Sequence, residues 1–181
     1  RRFTYADYKN WDTVPGERYE LIYGDAYAMA APSAYHQAIL GELFKQIAVY
    51  LTGRPCKVYP APYDVRLFYQ ADEQDDTVVQ PDITVVCDAE KRGKEGCRGA
   101  PEFAAEILSP ANTAAEMRRK FALYREAGVK EYWELDPESK TLHTHYFKDG
   151  AIISHFYRSG DTVKPALFPD LAIALEPVFA E

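Results

Sequence analysis

The stretch Phe103-Ala104-Ala105-Glu106-Ile107-Leu108-Ser109-Pro110, with Thr113 to Ala127 and Val129 to Leu135 after it, decides the fold. Phe103 to Leu108 is a short apolar run closed by Ser-Pro, the pattern of a strand buried on both faces. Thr113 opens a helix that runs to Ala127, and Gly128 stops it. Val129 to Leu135 is apolar and aromatic again and reads as a second core strand holding Tyr132 and Trp133. A helix joining two strands of one sheet predicts a right-handed parallel crossover.

Upstream, Ile83-Thr84-Val85-Val86-Cys87 is β-branched and apolar on both faces, so it is a central strand. Cys56 to Tyr59 is a short strand, and Tyr63 to Phe68 alternates like a half-buried one. Pro32-Ser33 opens the clearest helix, with Ile39, Leu40, Leu43, Phe44, Ile47 and Leu51 at three- and four-residue steps and Gly53 at its close. Arg18 to Ile22, the turn Tyr23-Gly24-Asp25, and Ala26 to Ala30 form a hairpin. Thr4 to Trp11 is a short helix with Thr4 as N-cap and Asp7 completing a capping box. Leu142 to Phe147, Ile152 to Tyr157 and Leu171 to Leu175 are antiparallel strands. The order predicts one α/β domain over residues 1–181, a central mixed β-sheet flanked by helices.

The chain has 181 residues, 47% of them hydrophobic and 14% aromatic, enough for one well-buried core. No stretch approaches the roughly 20 apolar residues of a membrane helix, and Arg1 to Tyr5 lacks the apolar run of a secretory signal. The chain begins without Met, which leaves room for a short upstream tail. Cys56, Cys87 and Cys97 form no CxxC pair, and an odd number at irregular spacing fits free thiols in a reducing cytoplasm. There is no His/Cys cluster with zinc-ligand spacing. The net charge of −7 argues against a general nucleic-acid coat but not against an enzyme that gathers carboxylates around a cation. The acidic run Asp72 to Asp76 is expected to be a solvated loop, and Asp88 to Pro101, with Lys91, Arg92, Lys94 and Arg98, a mobile basic one suited to a backbone phosphate.

Three residues carry the chemistry. Asp82 follows Pro81 at the head of an apolar strand, Glu106 sits inside another, and Lys120 lies on the helix leaving the Glu106 strand. A carboxylate inside a core strand is costly unless its charge is compensated, by an ion pair or by a hard divalent cation that prefers oxygen ligands. Two acids on adjacent strands with a lysine nearby are the minimum for metal-assisted phosphodiester hydrolysis.

At these positions the chain resembles the Uma-two family of endonucleases, in the PD-(D/E)XK restriction-endonuclease-like superfamily. The stretches that carry the resemblance are RYELIYGDAYAMA, SAYHQ, VVQPDITVV, AAEILSP and RRKFALYREAGVKEYWELDP, in family order over Arg18 to Pro137, about two-thirds of the chain. The resemblance implies that Asp82 and Glu106 are metal ligands, for Mg²⁺ or Mn²⁺. Leu108 stands where the superfamily normally has its lysine, and Lys120 takes that role from the following helix. Glu20 matches an upstream acidic position that can join the site, and His36 a histidine at the head of the long helix. The implied activity is a nuclease, most readily on DNA, working as a homodimer in the cytoplasm.

Plainer roles stand beside these. Asp82 can accept from nearby backbone N–H groups, and Glu106 can sit in a buried ion pair. Lys120 can pair with Glu116 one turn before it, and Glu20 can face solvent. His36 can merely occupy a first helical turn, and Tyr124 packs rather than reacts. His143 and His145, alternating on one strand face, are read as surface residues. The rival functions are a non-catalytic binding or assembly module on the same fold, and a metal-dependent hydrolase of small phosphorylated molecules.

Overall fold

The computed structural model describes residues 1–11 and 13–181. In chain order the elements are α1 (Tyr5–Tyr8), β1 (Tyr19–Ile22), β2 (Asp25–Ala28), α2 (Ala34–Leu51), β3 (Lys57–Pro60), β4 (Val65–Arg66), β5 (Val78–Val79) and β6 (Ile83–Val86). A 3-10 turn (Ala89–Lys91) leads to β7 (Cys97–Arg98), β8 (Phe103–Ile107), α3 (Ala114–Ala127), β9 (Glu131–Asp136), β10 (Thr141–Lys148) and β11 (Ala151–Arg158). The chain ends with β12 (Thr162–Val163), β13 (Ile173–Ala174) and α4 (Leu175–Val178).

The expected crossover forms the centre. β8 and β9 pair in parallel, Phe103 opposite Glu131 through Ile107 opposite Leu135, with α3 between them in sequence. They lie in a six-stranded mixed sheet ordered β11-β10-β9-β8-β6-β3. A smaller sheet runs β2-β1-β5-β4-β7, and β12 pairs with β13. Strand alternation sorts the large sheet's side chains onto two faces. Ile83, Val85, Ala105, Ile107, Trp133 and Leu135 pack against Ile39, Leu43 and Ile47 of α2. Val86, Ala104 and Tyr132 face Leu123 and Tyr124 of α3, together with Ile22, Val65 and Val79 from the smaller sheet.

Local signals fix the helix ends. The Ser33 hydroxyl accepts from His36 N at 3.0 Å, Thr113 and Glu116 form a capping box, and Gly128 ends α3 at φ 96°, a left-handed position that favours glycine. The Thr4–Asp7 capping box is present, but its helix ends at Tyr8. Among the described residues no helix is long and apolar enough to cross a membrane.

Several expectations are corrected. Cys56 and Cys87 are joined by a disulfide, not free. β3 and β6 pair antiparallel with Lys57 opposite Val86, and one step further along that register the two cysteines face each other. Cys97 is free and buried, and burial pushes its thiol up to about 12. Asp75 is not solvated: it is buried, and the Arg66 guanidinium grips both its carboxylate oxygens. Only Val65–Arg66 of the Tyr63–Phe68 strand pairs. The basic loop contains a 3-10 turn and β7, with Lys91 Nζ donating to Ala100 O at 2.8 Å and Arg92 to Pro55 O at 3.2 Å. His143 is exposed, but His145 is buried between Glu134 Oε1 (3.2 Å) and Ser154 Oγ (2.7 Å).

Gly96 holds β7 against β4. Its φ is +150°, and a Cβ there would meet the carbonyl oxygen of Asp64 at 2.2 Å, where backbone cannot yield cheaply. Gly96→Ala is expected to destabilise the protein by about 2 kcal/mol or more, read as a lower urea midpoint at unchanged m-value.

Candidate active site

The β6–β8 register builds the acidic pair. Ile83 lies opposite Ala105, so Asp82, one residue before β6, comes close to Glu106, one residue after Ala105 on β8. Asp82 Oδ2 accepts the backbone N–H of Ile107 at 2.7 Å, the plainer role anticipated for a strand-start aspartate. Its Oδ1 lies 3.4 Å from His36 Nε2. His36 stands in the first turn of α2, and the same Nε2 is 3.1 Å from the carbonyl of Ile107 while Nδ1 is 3.2 Å from Gln37 Oε1. Both ring nitrogens therefore meet acceptors, the arrangement an imidazolium satisfies.

Glu106 points to the α3 side of the sheet, as Ala104 does two residues earlier. Its Oε1 accepts from Lys120 Nζ at 2.9 Å and from the Tyr124 hydroxyl at 2.6 Å. Lys120 and Tyr124 are four residues apart, one above the other on a single helix face, so one register of α3 delivers both donors. The Lys120 ammonium also reaches Glu20, at 3.0 Å from Oε1 and 2.9 Å from Oε2. Glu20 Oε1 accepts from Gln80 N at 3.0 Å as well. Glu20 (4% exposed), Asp82 (7%) and Glu106 (7%) are all buried.

The charges follow from this packing. Burial raises the Glu106 carboxyl, Lys120 pulls it down, and Glu20 and Asp82 raise it again, leaving it pushed up to about 7. Burial opposes the Lys120 cation, but Glu106 and Glu20 outweigh that and hold it charged, above its ordinary value. The two directions agree, because the lysine has two opposite charges for neighbours and Glu106 has one opposite and two like. Burial raises the Tyr124 hydroxyl well above its ordinary value, and Glu106 adds to this. Burial lowers the His36 imidazole, but its contact with Asp82 overrides this, for a net upward shift.

A cavity of about 210 Å³ opens on this cluster, lined by Glu20, His36, Asp82, Glu106 and Lys120, with Arg18, Asn112 and Arg119 further out. Among the described residues Glu106 Oε2 has no hydrogen-bond partner, and it is not one of the sealed unpartnered atoms, so it remains accessible. No group of three or more His, Cys, Asp or Glu among the described residues is disposed to hold a metal ion. Two carboxylates with an open cavity nonetheless fit Mg²⁺, which keeps several waters and takes only one or two carboxylates.

The structure thus gathers Asp82, Glu106, Lys120, Glu20, His36 and Tyr124 at one place. Glu20 is not solvent-facing, because its carboxylate turns to Lys120 and the backbone of Gln80. Lys120 does not pair with Glu116, whose carboxylate takes Thr113 N at 2.6 Å in the capping box. Glu106 is in a buried ion pair, one of the two compensations its sequence setting demands. Gln80 and the cavity-lining Arg18, Asn112 and Arg119 went unnoticed in sequence. The amide beside Pro81-Asp82 was the one available signal.

The fold is that of the restriction-endonuclease-like proteins. The Uma2 family, described as "Putative restriction endonuclease", matches residues 5–176, and the chain belongs to that family. It is similar to a crystal structure from Anabaena variabilis ATCC 29413 described as "a putative nuclease belonging to DUF820", with a TM-score of 0.75 over 98% of this chain and 97% of that one. At 19% sequence identity that likeness is one of fold. No curated protein shows significant similarity to the chain.

A histidine whose protonated form is favoured by a neighbouring carboxylate shifts in a defined direction. Its folded-state pKa lies above the unfolded value of about 6.5, so its stabilisation is complete below that value and is lost as pH rises through the folded one. By NMR titration His36 is expected to titrate above 6.5 in the wild type, and at a lower pH in Asp82→Asn.

Proposed function

We propose that the protein is a nuclease that uses Mg²⁺ or Mn²⁺ to hydrolyse phosphodiester bonds, with DNA as its first substrate. One observation carries this: Asp82, immediately before β6, and Glu106, on the neighbouring β8, line one cavity, with the Lys120 ammonium on Glu106. Asp82 and Glu106 would hold the ion. Bound there, it supplies Lewis-acid polarisation of a phosphoryl oxygen and a more acidic water.

The chain's own groups do the rest. Lys120 orients the attacking water or offsets charge growing on the phosphoryl oxygens. Glu20 keeps that lysine protonated and anchored. Tyr124 fixes Glu106 Oε1 from the helix side, leaving Oε2 for a ligand. His36 and the Ile107 N–H hold Asp82 from two directions, so the carboxylate is oriented before any ligand arrives.

A second reading, a non-catalytic module, draws on the fact that Lys120 already neutralises Glu106 and that no three-ligand set is present among the described residues. Calorimetry separates the two. The enzyme takes up Mn²⁺ at one site that Asp82→Ala removes, and the module shows no such site. For catalysis, Asp82→Ala and Glu106→Ala are each expected to lower Mn²⁺-dependent cleavage by at least about 10²-fold while circular dichroism shows a folded protein. Wild-type protein that cuts a panel of DNA and RNA no better than these variants would overturn the proposal.

A further inference from the structure

β11 (Ala151–Arg158) stands at one end of the large sheet, and among the described residues it pairs with β10 alone. It is eight residues long. Three of the seven exposed large hydrophobic side chains among the described residues fall on it: Ile152 (38% exposed), Ile153 (48%) and Phe156 (54%). A long apolar edge is a ready template for another strand, and proteins commonly blunt such edges with charge, proline or a bulge. The opposite edge of this sheet, β3, carries Lys57 and Pro60. β11 has none of these devices over most of its length. It pairs with β10 one residue to one, from Thr141 opposite Arg158 to Lys148 opposite Ala151. From Ala151 to Tyr157 it holds no proline, lysine, arginine or carboxylate.

The turn before β11 fixes which backbone groups point outward. Asp149 and Gly150, at φ 52° and 78°, make a two-residue hairpin turn. Lys148 and Ala151 are then a hydrogen-bonded pair, and every second pair after them follows suit. The Phe147 N–H agrees, since it turns away from β11 to Lys130 O at 2.8 Å. The N–H and C=O groups of Ile152, Ser154, Phe156 and Arg158 therefore face away from β10. Those of Arg158 are taken, the N–H by Asp161 Oδ2 at 2.7 Å and the carbonyl by Asp161 N at 3.0 Å. Those of Ile152, Ser154 and Phe156 have no partner among the described residues. This unpaired stretch is symmetric about Ser154. A second copy of the same strand, antiparallel with Ser154 opposite Ser154, pairs all of it. The same register sets Ile152 against the partner's Phe156, twice, an aromatic and β-branched cross-strand pair. It places no charge opposite a like charge.

We propose that β11 is the contact of a symmetric homodimer, in which two copies pair antiparallel about Ser154 and join their large sheets into one. Such a contact uses the same patch on both copies and closes at two, since the edge left at either end is the guarded β3. The proposal is independent of the nuclease reading.

Sedimentation equilibrium of the full chain at micromolar concentration is expected to give twice its 20.6 kDa mass. Phe156→Lys should weaken the dimer by about tenfold or more. Ile152→Lys/Phe156→Lys, which sets lysine against lysine, should leave a monomer. Ile152→Glu/Phe156→Lys, which sets glutamate against lysine, should restore the dimer. Circular dichroism checks that each variant folds. Amide hydrogen exchange tests the wild-type protein with no substitution at all: the Ile152, Ser154 and Phe156 amides should be as protected as those of Ile153 and His155, which bond to β10. A wild-type protein that stays monomeric, or one that assembles past the dimer, would overturn the proposal. So would rapid exchange at Ile152, Ser154 and Phe156, or a dimer that a folded Ile152→Lys/Phe156→Lys variant keeps. A folded Ile152→Glu/Phe156→Lys variant that associates no better than Ile152→Lys/Phe156→Lys would overturn it as well.

Discussion

A single ammonium group, on Lys120, lets two carboxylates from different sheets stay buried side by side. Taking an ion out of water costs several kcal/mol even after relaxation, and Glu20 and Glu106 each incur that cost. Lys120 lies within 3 Å of both and compensates them together. The balance is incomplete for Glu106, which also feels Asp82 and is pushed up to about 7.

The fold supplies this geometry through its most regular part. The large sheet gives α2 an apolar face, and on the opposite face Glu106 lies under α3, with Thr84 and Glu134 as further polar residues of that face. The smaller sheet then closes over the α3 side and brings Glu20 on β1 to the same lysine. The helix that buries Glu106 therefore also neutralises it, and the hairpin that carries Glu20 completes the cluster. None of the three charges has a satisfactory environment until all these elements are in place.

How much of this was legible in the sequence depends on the range of the interaction. The crossover from β8 through α3 to β9 was visible, since apolar runs, the Thr113 cap and Gly128 are local signals. So were Asp82 and Glu106, because an acid in an apolar strand is anomalous by itself. The smaller sheet was mostly hidden. β4, β5 and β7 pair over two residues each, too few for periodicity to register. The hairpin that carries Glu20 was visible, but the direction of its carboxylate was not, because β5, the partner on the other side of β1, is only two residues long. The choice of partner for Lys120 misled at short range: Glu116 is one turn away, but its carboxylate is spent on the helix cap. Cys56 and Cys87 are 31 residues apart, and only the pairing of β3 with β6 brings them together. Asp75 was read from the charge of its neighbours, whereas Arg66, nine residues earlier, decides its place.

Putting Lys120 on the helix instead of two residues after Glu106 on the strand also bears on the order in which the molecule assembles. While β6 and β8 are zipped but α3 is undocked, the carboxylate of Glu106 is hydrated and costs nothing. Seating the helix strips that water and delivers Lys120 and Tyr124 in the same movement, so desolvation and neutralisation happen as one event. A lysine fixed in the strand would instead escort the acid from the start. Here Glu106 has its cation and its hydroxyl donor only once α3 is seated.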